Sequence, residues 1–284
     1  MRVVENPESA ELDSDSFRAI SELAYAESGL TLAKEKTTMI QSRLRHRLRA
    51  LGLNEFSQYS AYVRSDDGRQ ERRYLISALT TNVSHFFREA HHLDFLSSTF
   101  LPRFCKSNVI APLRVWSAGC SKGQEALSIA MSMLENHPEC ADADFRILAT
   151  DIDPSVVRFA QHGRYPERMT KGLNPALRNK YFDQTATDNG EPTFTANHRI
   201  RDLIRYNELN LLSLWPIKTK FDAIFCRNVV IYFDTATQDK LWPRFRAAMQ
   251  PDGVLFLGHS ERIAEPEKFG FKCVAPTTYR PLST

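Results

Sequence analysis

At 284 residues the chain is long enough for two domains, each with its own core. Hydrophobic residues make up 42% and charged residues 25%, which excludes a disordered chain, a collagen-like repeat and a coiled-coil rod. A net charge of +3 is too small to imply a partner, so any charge argument rests on where the basic residues cluster.

The opening MRVVENPESAELDSDS lacks the apolar core of a signal peptide, and no stretch approaches the roughly 20 apolar residues of a membrane span. The cysteines (Cys105, Cys120, Cys140, Cys226, Cys273) are scattered and contain no C-x-x-C pair, which fits reduced thiols and a cytoplasmic protein. Residues 1–12 are polar and acidic and read as a flexible tail. From Asp13 to about residue 80 the pattern is helical: Phe17, Ile20, Leu23 and Ala24 recur at helical spacing, then Ile40, Leu44, Leu48 and Leu51. Gly29 and Gly52 are the expected helix stops, and two shorter amphipathic segments, Phe56 to Val63 and Arg69 to Leu79, flank the turn at Ser65-Asp66-Asp67-Gly68. A small all-helical domain over 13–80 is predicted.

Residues 81–284 form the second predicted domain, in which, beyond about Phe100, short apolar runs alternate with helical stretches, the pattern of a mostly parallel, doubly wound α/β sheet. Strands are expected at Leu113 to Ser117, Phe145 to Thr150, Phe221 to Cys226, Val254 to Gly258 and near Phe271 to Val274. The alternation breaks over about 163–205, read as an inserted subdomain. The first strand runs into Ala118-Gly119-Cys120-Ser121-Lys122-Gly123-Gln124-Glu125, a glycine loop that allows close approach of a nucleotide. The second strand ends in Asp151-Ile152-Asp153-Pro154; a carboxylate there suits ribose hydroxyls, with Asp151 the candidate, and capping the following helix is the alternative role for Asp151 and more so for Asp153. The third delivers Arg227 and Asn228 to its carboxyl end. A dinucleotide-dependent dehydrogenase shares the first two features, so the pattern alone does not separate hydride from methyl transfer.

More specific are Ala78 through His92 (ALTTNVSHFFREAHH), Val115 through Glu125 (VWSAGCSKGQE), Ala149 through Asp153, Asn210 through Leu212, Phe221 through Phe233 (FDAIFCRNVVIYF) and Gly258 through Glu261. In these segments and their order the sequence resembles the chemotaxis receptor glutamate methyltransferases. The resemblance implies a Rossmann-like S-adenosylmethionine-dependent domain preceded by the helical domain, with a small β-subdomain inserted. It assigns cofactor contacts to Asn82, Ser84, Arg88, Glu125, Asp151, Asn210, Leu211, Arg227 and Asn228, and places Arg88 and Tyr232 nearest the transferring methyl group. S-adenosylhomocysteine is the implied product, and no metal is expected; the adjacent His91 and His92 make a poor metal site. One departure is Ala126-Leu127, where members carry Pro-Tyr; it supports the alternative of a cofactor-binding regulator that methylates no receptor.

The predicted helix around Leu44 and Leu48 also carries Arg43, Arg45, His46, Arg47 and Arg49. Its like-charged i,i+4 pairs cost an isolated helix roughly 0.2–0.5 kcal/mol each, which points to a solvated face, a nucleic-acid surface or a dock for an anionic protein. The resemblance favours the last, with the helical methylation region of a receptor as partner and neither nucleic acid nor membrane insertion. It also allows a receptor C-terminal peptide at the β-subdomain.

Overall fold

The computed structural model describes residues 10–101, 112–138, 144–186 and 190–282. The chain forms two compact units: one runs through Thr81 and includes Tyr232–Gln238, and the other comprises Asn82–Ile231 and Asp239 onward.

The first unit is helical: α1 (Ser14–Ser28), α2 (Thr37–Leu51), α3 (Phe56–Arg64) and α4 (Glu71–Leu79). Asp13 starts α1 by accepting from the backbone N–H groups of Asp15 and Ser16, each at 2.9 Å, and Gly29 ends it at φ +72°. Phe17, Ile20 and Ala24 are buried with Ile40, Leu44 and Leu48, as the spacing requires, whereas Leu51 is only half-buried. Leu12, assigned to the tail from composition, is buried as well, and its N–H donates to Gln41 Oε1 at 3.0 Å. The packed chain therefore begins before α1.

The basic residues of α2 do not share one fate. Arg43 turns inward across the end of α4, donating to Leu79 O at 2.8 Å, Thr80 O at 3.1 Å and Thr81 Oγ1 at 2.9 Å, where a cation meets free carbonyls and the negative helix end. Arg47 grips the buried Glu71 with two bonds of 2.7 Å and lies 4.4 Å above the Tyr74 ring. Tyr59 donates to the same Glu71 at 3.1 Å, and burial together with the Glu71 charge raises its hydroxyl pKa. Arg45 is half-buried against Ala10 O at 3.4 Å, leaving His46 and Arg49 exposed. The like-charge repulsion anticipated along α2 is thus offset inside the unit.

The second unit opens with α5 (Ala90–Asp94) and then alternates: β1 (Leu113–Ala118), α6 (Gln124–Asn136), β2 (Phe145–Asp151), α7 (Pro154–His162). An excursion follows through β3 (Arg164–Pro166), α8 (Glu167–Thr170), α9 (Pro175–Tyr181), β4 (Phe182–Ala186), β5 (Pro192–Ala196) and α10 (His198–Arg201). The chain then returns as β6 (Ile204–Glu208), β7 (Phe221–Cys226), α11 (Thr235–Ala248), β8 (Met249–Leu257), β9 (Phe271–Ala275) and β10 (Thr278–Pro281). The large sheet has the order β6-β2-β1-β7-β8-β10-β9, parallel except for β10, which runs antiparallel to both neighbours. The order reverses between β1 and β7, so a crevice is expected beyond their carboxyl ends.

Two strands had no counterpart in the sequence reading. The polar β6 is an edge strand whose Arg205, Asn207 and Glu208 are exposed, so it has no apolar run to reveal it. Ile204 and Arg205, placed in the insertion, begin this strand; the insertion's own sheet is the antiparallel β3-β5-β4. The final strand is β10, which wedges between β8 and β9. Cys120 and Cys226 are buried free thiols and Cys273 an exposed one, while Cys105 and Cys140 lie outside the described residues. Among the described residues no helix is long and apolar enough to cross a membrane.

Glu71→Ala should destabilise the protein by about 3 kcal/mol in denaturant unfolding, because it strands the partly buried Arg47 and orphans the Tyr59 hydroxyl. Arg49→Ala, at an exposed position on the same helix, should change stability by less than about 0.5 kcal/mol.

Candidate active site

The loop after β1 needs its glycines. Gly119 has φ +98°, and a Cβ there would lie 2.2 Å from Val229 Cγ2; Gly123 opens α6 at φ +88°. Asp151, at the tip of β2, holds this loop: one carboxylate oxygen accepts from Ser121 N at 2.8 Å, the other from Asp153 N at 3.0 Å. Burial pushes its carboxyl up to about 6 against these stabilising bonds. Asp153 caps α7 through Ser155 N at 2.8 Å, and its second oxygen accepts from Asn82 Nδ2 at 2.7 Å. It is therefore a cap and a tie at once.

Residues 82–89 are strapped over the glycine loop and α6. Ser121 Oγ donates to Asn82 O at 3.1 Å, Gln124 Nε2 to Ser84 O at 3.4 Å, and Phe87 N to Ser128 Oγ at 2.9 Å. Phe86 wedges edge-on against Tyr165 and Phe182 at 5.3 and 5.6 Å between ring centroids, anchoring the strap on the β-subdomain. Phe87, Glu89, Ser121 and Asn228 all adopt positive φ, between 50° and 59°, a strained conformation for residues with a side chain.

Between strap and strands lies a buried charge cluster. Glu125 accepts from Ser117 Oγ at 2.6 Å on one oxygen, and its other oxygen lies 3.4 Å from Arg227 Nε. Arg227 donates through its terminal nitrogen to Arg88 O, and its Nε stands 3.6 Å from Glu89 Oε2. Burial raises the Glu125 pKa, with Arg227 and Ser117 opposing. Burial also pushes Glu89 upward, but the Arg227 charge and hydrogen bonds from His259 outweigh it and hold the carboxyl below its ordinary value. His92 is fully buried with Nε2 2.9 Å from Thr277 Oγ1, and burial followed by Arg227 lowers its pKa to about 4, so it is neutral at physiological pH; its neighbour His91 is exposed. Arg88 is half-buried and spends one N–H on Val83 O at 3.1 Å.

Glu261 organises the turn after β7. Its buried carboxylate accepts from Asn228 N at 2.8 Å, Gly258 N at 2.6 Å and Ile231 N at 3.1 Å, and a Cβ on Gly258 would press within 2.8 Å of Asn228 and of Glu261 itself. Asn210 folds its side chain onto Leu212 N at 2.9 Å, and the buried Leu211 offers its carbonyl to Trp215 Nε1 at 3.0 Å and Arg244 at 2.5 Å. Leu209 N, just before them, donates to Asp151 O at 2.9 Å.

Asn82, Ser84, Arg88, Glu125, Asp151, Arg227 and Asn228 thus meet through a chain of contacts at the carboxyl ends of β1, β2 and β7, with Asn210 and Leu211 tied to the end of β2. Tyr232 belongs to the segment that packs with the helical unit, its carbonyl accepting from Thr31 N at 2.9 Å. Ala126 and Leu127 are fully buried in α6, so the departure noted in the sequence is absorbed by core packing and leaves Glu125 held by Ser117. Glu89, His92 and Glu261 were not among the expected site residues; Glu89 and Glu261 stand within quoted motifs, but nothing local to them reveals what they face.

The residues suit a nucleoside bearing a charged amino-acid tail. Asp151 stands at the strand tip, glycines clear the backbone, and Gln124 Oε1, Arg227 Nε and Glu89 Oε2 are buried polar atoms without a hydrogen-bond partner. No group of three or more His, Cys, Asp or Glu among the described residues is arranged to hold a metal ion. Glu261→Ala should orphan three backbone donors at about 1–3 kcal/mol each, read as a fall in stability by denaturant unfolding, with Glu261→Gln intermediate because it keeps one acceptor oxygen.

Comparison with known proteins extends the likeness to almost the whole chain. Residues 15–80 match the all-alpha domain of CheR methyltransferases and residues 82–279 their SAM-binding domain. A probable chemotaxis protein methyltransferase of Rhizobium etli is 43% identical over 259 residues, covering 91% of this chain and 96% of the relative. The chemotaxis protein methyltransferase of Escherichia coli is 38% identical, over 90% of this chain and 87% of its own. That of Borreliella burgdorferi is 34% identical, over 95% of each. With both of its compact units matched in order, the chain belongs to the CheR methyltransferase family.

Proposed function

We propose that this chain transfers the methyl group of S-adenosylmethionine to glutamate side chains in the cytoplasmic helical region of chemotaxis receptors, giving glutamate methyl esters and S-adenosylhomocysteine. The reaction needs no metal, and the enzyme works in the cytoplasm. The observation that carries this reading is the pair of carboxylates flanking one glycine loop, the buried Asp151 at the tip of β2 and the half-buried Glu125 in the first turn of α6. One suits ribose hydroxyls and the other an ammonium group.

The cofactor, when bound, supplies a methyl group already activated on a sulfonium. The substrate carboxylate, with an ordinary pKa of about 4.3, is an anionic nucleophile at neutral pH and needs no general base. What the protein contributes is alignment and exclusion of water, worth roughly 7–11 kcal/mol when the geometry is near attack. In this scheme Asp151 holds the ribose and Glu125 the ammonium, while Asn82, Ser84, Asn210, Leu211, Arg227 and Asn228 line the cofactor site. Arg88 presents a fork suited to a carboxylate, and Tyr232 orients the substrate.

For docking, Arg45, His46 and Arg49 are the members of the basic set with the least internal commitment, because Arg43 and Arg47 are engaged with the end of α4 and with Glu71. A receptor C-terminal peptide would add as a strand to the edge of the β-subdomain. Neither nucleic acid nor membrane insertion enters this reading.

The decisive assay is transfer of radiolabelled methyl to receptor-bearing membranes, with mild alkali releasing the label as methanol; absence of base-labile label on the receptor would sink the proposal. Arg88→Ala should lower transfer by about 10²-fold through lost alignment. Arg45→Ala should instead weaken receptor recognition while cofactor affinity, measured by calorimetry, stays unchanged. The raised carboxyl of Asp151 sets a pH signature. Its native state binds the extra proton between 3.8 and about 6, so its own contribution to stability falls as pH rises through that window. Cofactor hydroxyls favour the ionised form, so affinity should drop as pH falls through about 6, and Asp151→Asn should bind more weakly with no such dependence.

A further inference from the structure

The chain contains its own comparison for how a half-buried arginine behaves beside one carboxylate. Arg47 faces Glu71 alone and closes to a fork of two 2.7 Å bonds. Arg227 faces two carboxylates and closes on neither: its Nε lies 3.4 Å from Glu125 and 3.6 Å from Glu89, beyond good hydrogen-bond distance to both. Among the described residues the one hydrogen bond of the Arg227 side chain runs from a terminal nitrogen to the Arg88 carbonyl. The difference is the second acid. Glu89 is fixed in place from behind, with Oε1 accepting from His259 N at 3.2 Å and lying 3.0 Å from His259 Nδ1, while Oε2 is buried without a hydrogen bond.

We propose that Glu89 is a positioning residue that draws Arg227 away from Glu125 and so leaves one oxygen of Glu125 free for the ammonium group of the cofactor. That oxygen is the less engaged of the two, because the other already accepts from Ser117 Oγ at 2.6 Å. Two carboxylates share one buried guanidinium at close range, the half-buried Arg88 stands 3.9 Å from Glu89, and the neutral His92 supplies no charge. This assignment rests on the proposed role of Glu125 and extends it to a residue that need not touch the cofactor.

The test is Glu89→Gln, which keeps the shape and an acceptor for His259 but removes the charge. Affinity is measured by calorimetry for S-adenosylhomocysteine and for 5′-methylthioadenosine, which shares the nucleoside and thioether but lacks the ammonium. S-adenosylhomocysteine should bind about tenfold more weakly to the variant, the size of one charge-assisted hydrogen bond, while methylthioadenosine affinity stays unchanged. Should Glu89→Gln fail to fold, Glu89→Asp, which retains the charge but withdraws it from Arg227, should show the same selective loss. Unchanged S-adenosylhomocysteine affinity, or parallel loss of both ligands, would overturn the role of Glu89 while leaving the cofactor site standing. A wild-type protein that binds neither ligand would overturn the cofactor reading and this proposal with it.

Discussion

The loops at the carboxyl ends of the parallel strands depend on buried carboxylates accepting backbone N–H groups. Asp151 accepts from Ser121 and from Asp153; Glu261 accepts from Asn228, Gly258 and Ile231; Asp153 caps α7 and holds Asn82. A loop at a strand end exposes donors that no ladder satisfies, and burying them unpaired would cost about 1–3 kcal/mol apiece. Acids meet that need, but burial raises the carboxyls of Asp151 and Glu261 above their ordinary values. The scaffold thus accepts poorly solvated negative charge around the crevice, which suits a ligand that brings positive charge.

The same economy governs the arginines. Arg43 and Arg47 are drawn inward to the end of α4 and to Glu71, so a helix that looks uniformly basic in sequence divides into structural and exposed cations. In the second unit Arg227 is buried between Glu125 and Glu89. Arg47 closes on its single acid at 2.7 Å, whereas Arg227 Nε stays 3.4 and 3.6 Å from its two.

Much of the architecture was legible in the sequence because it is local. Four-residue spacing of Ile40, Leu44 and Leu48, glycine stops at 29 and 52, and apolar runs such as Phe221 to Cys226 each dictate an element from neighbours in the chain. Elements escaped where that signal was missing. β6 is a polar edge strand, stable because β2 lends it a partner, and β10 reverses direction to slot between two strands that precede it. Leu12 sat in an acidic context that masked its packing.

For the candidate site, the sequence by itself determined the glycine loop, the acid at the tip of β2 and the polar pair after β7, because a strand that ends in such residues delivers them to one edge of a parallel sheet. Only the tertiary structure decided what each group faces. Whether an arginine is a free cation or a buried partner depends on residues far along the chain: Glu71 for Arg47, Glu89 and Glu125 for Arg227. Side-chain charge is written into the sequence; its desolvation and its pairing arise when distant segments come together.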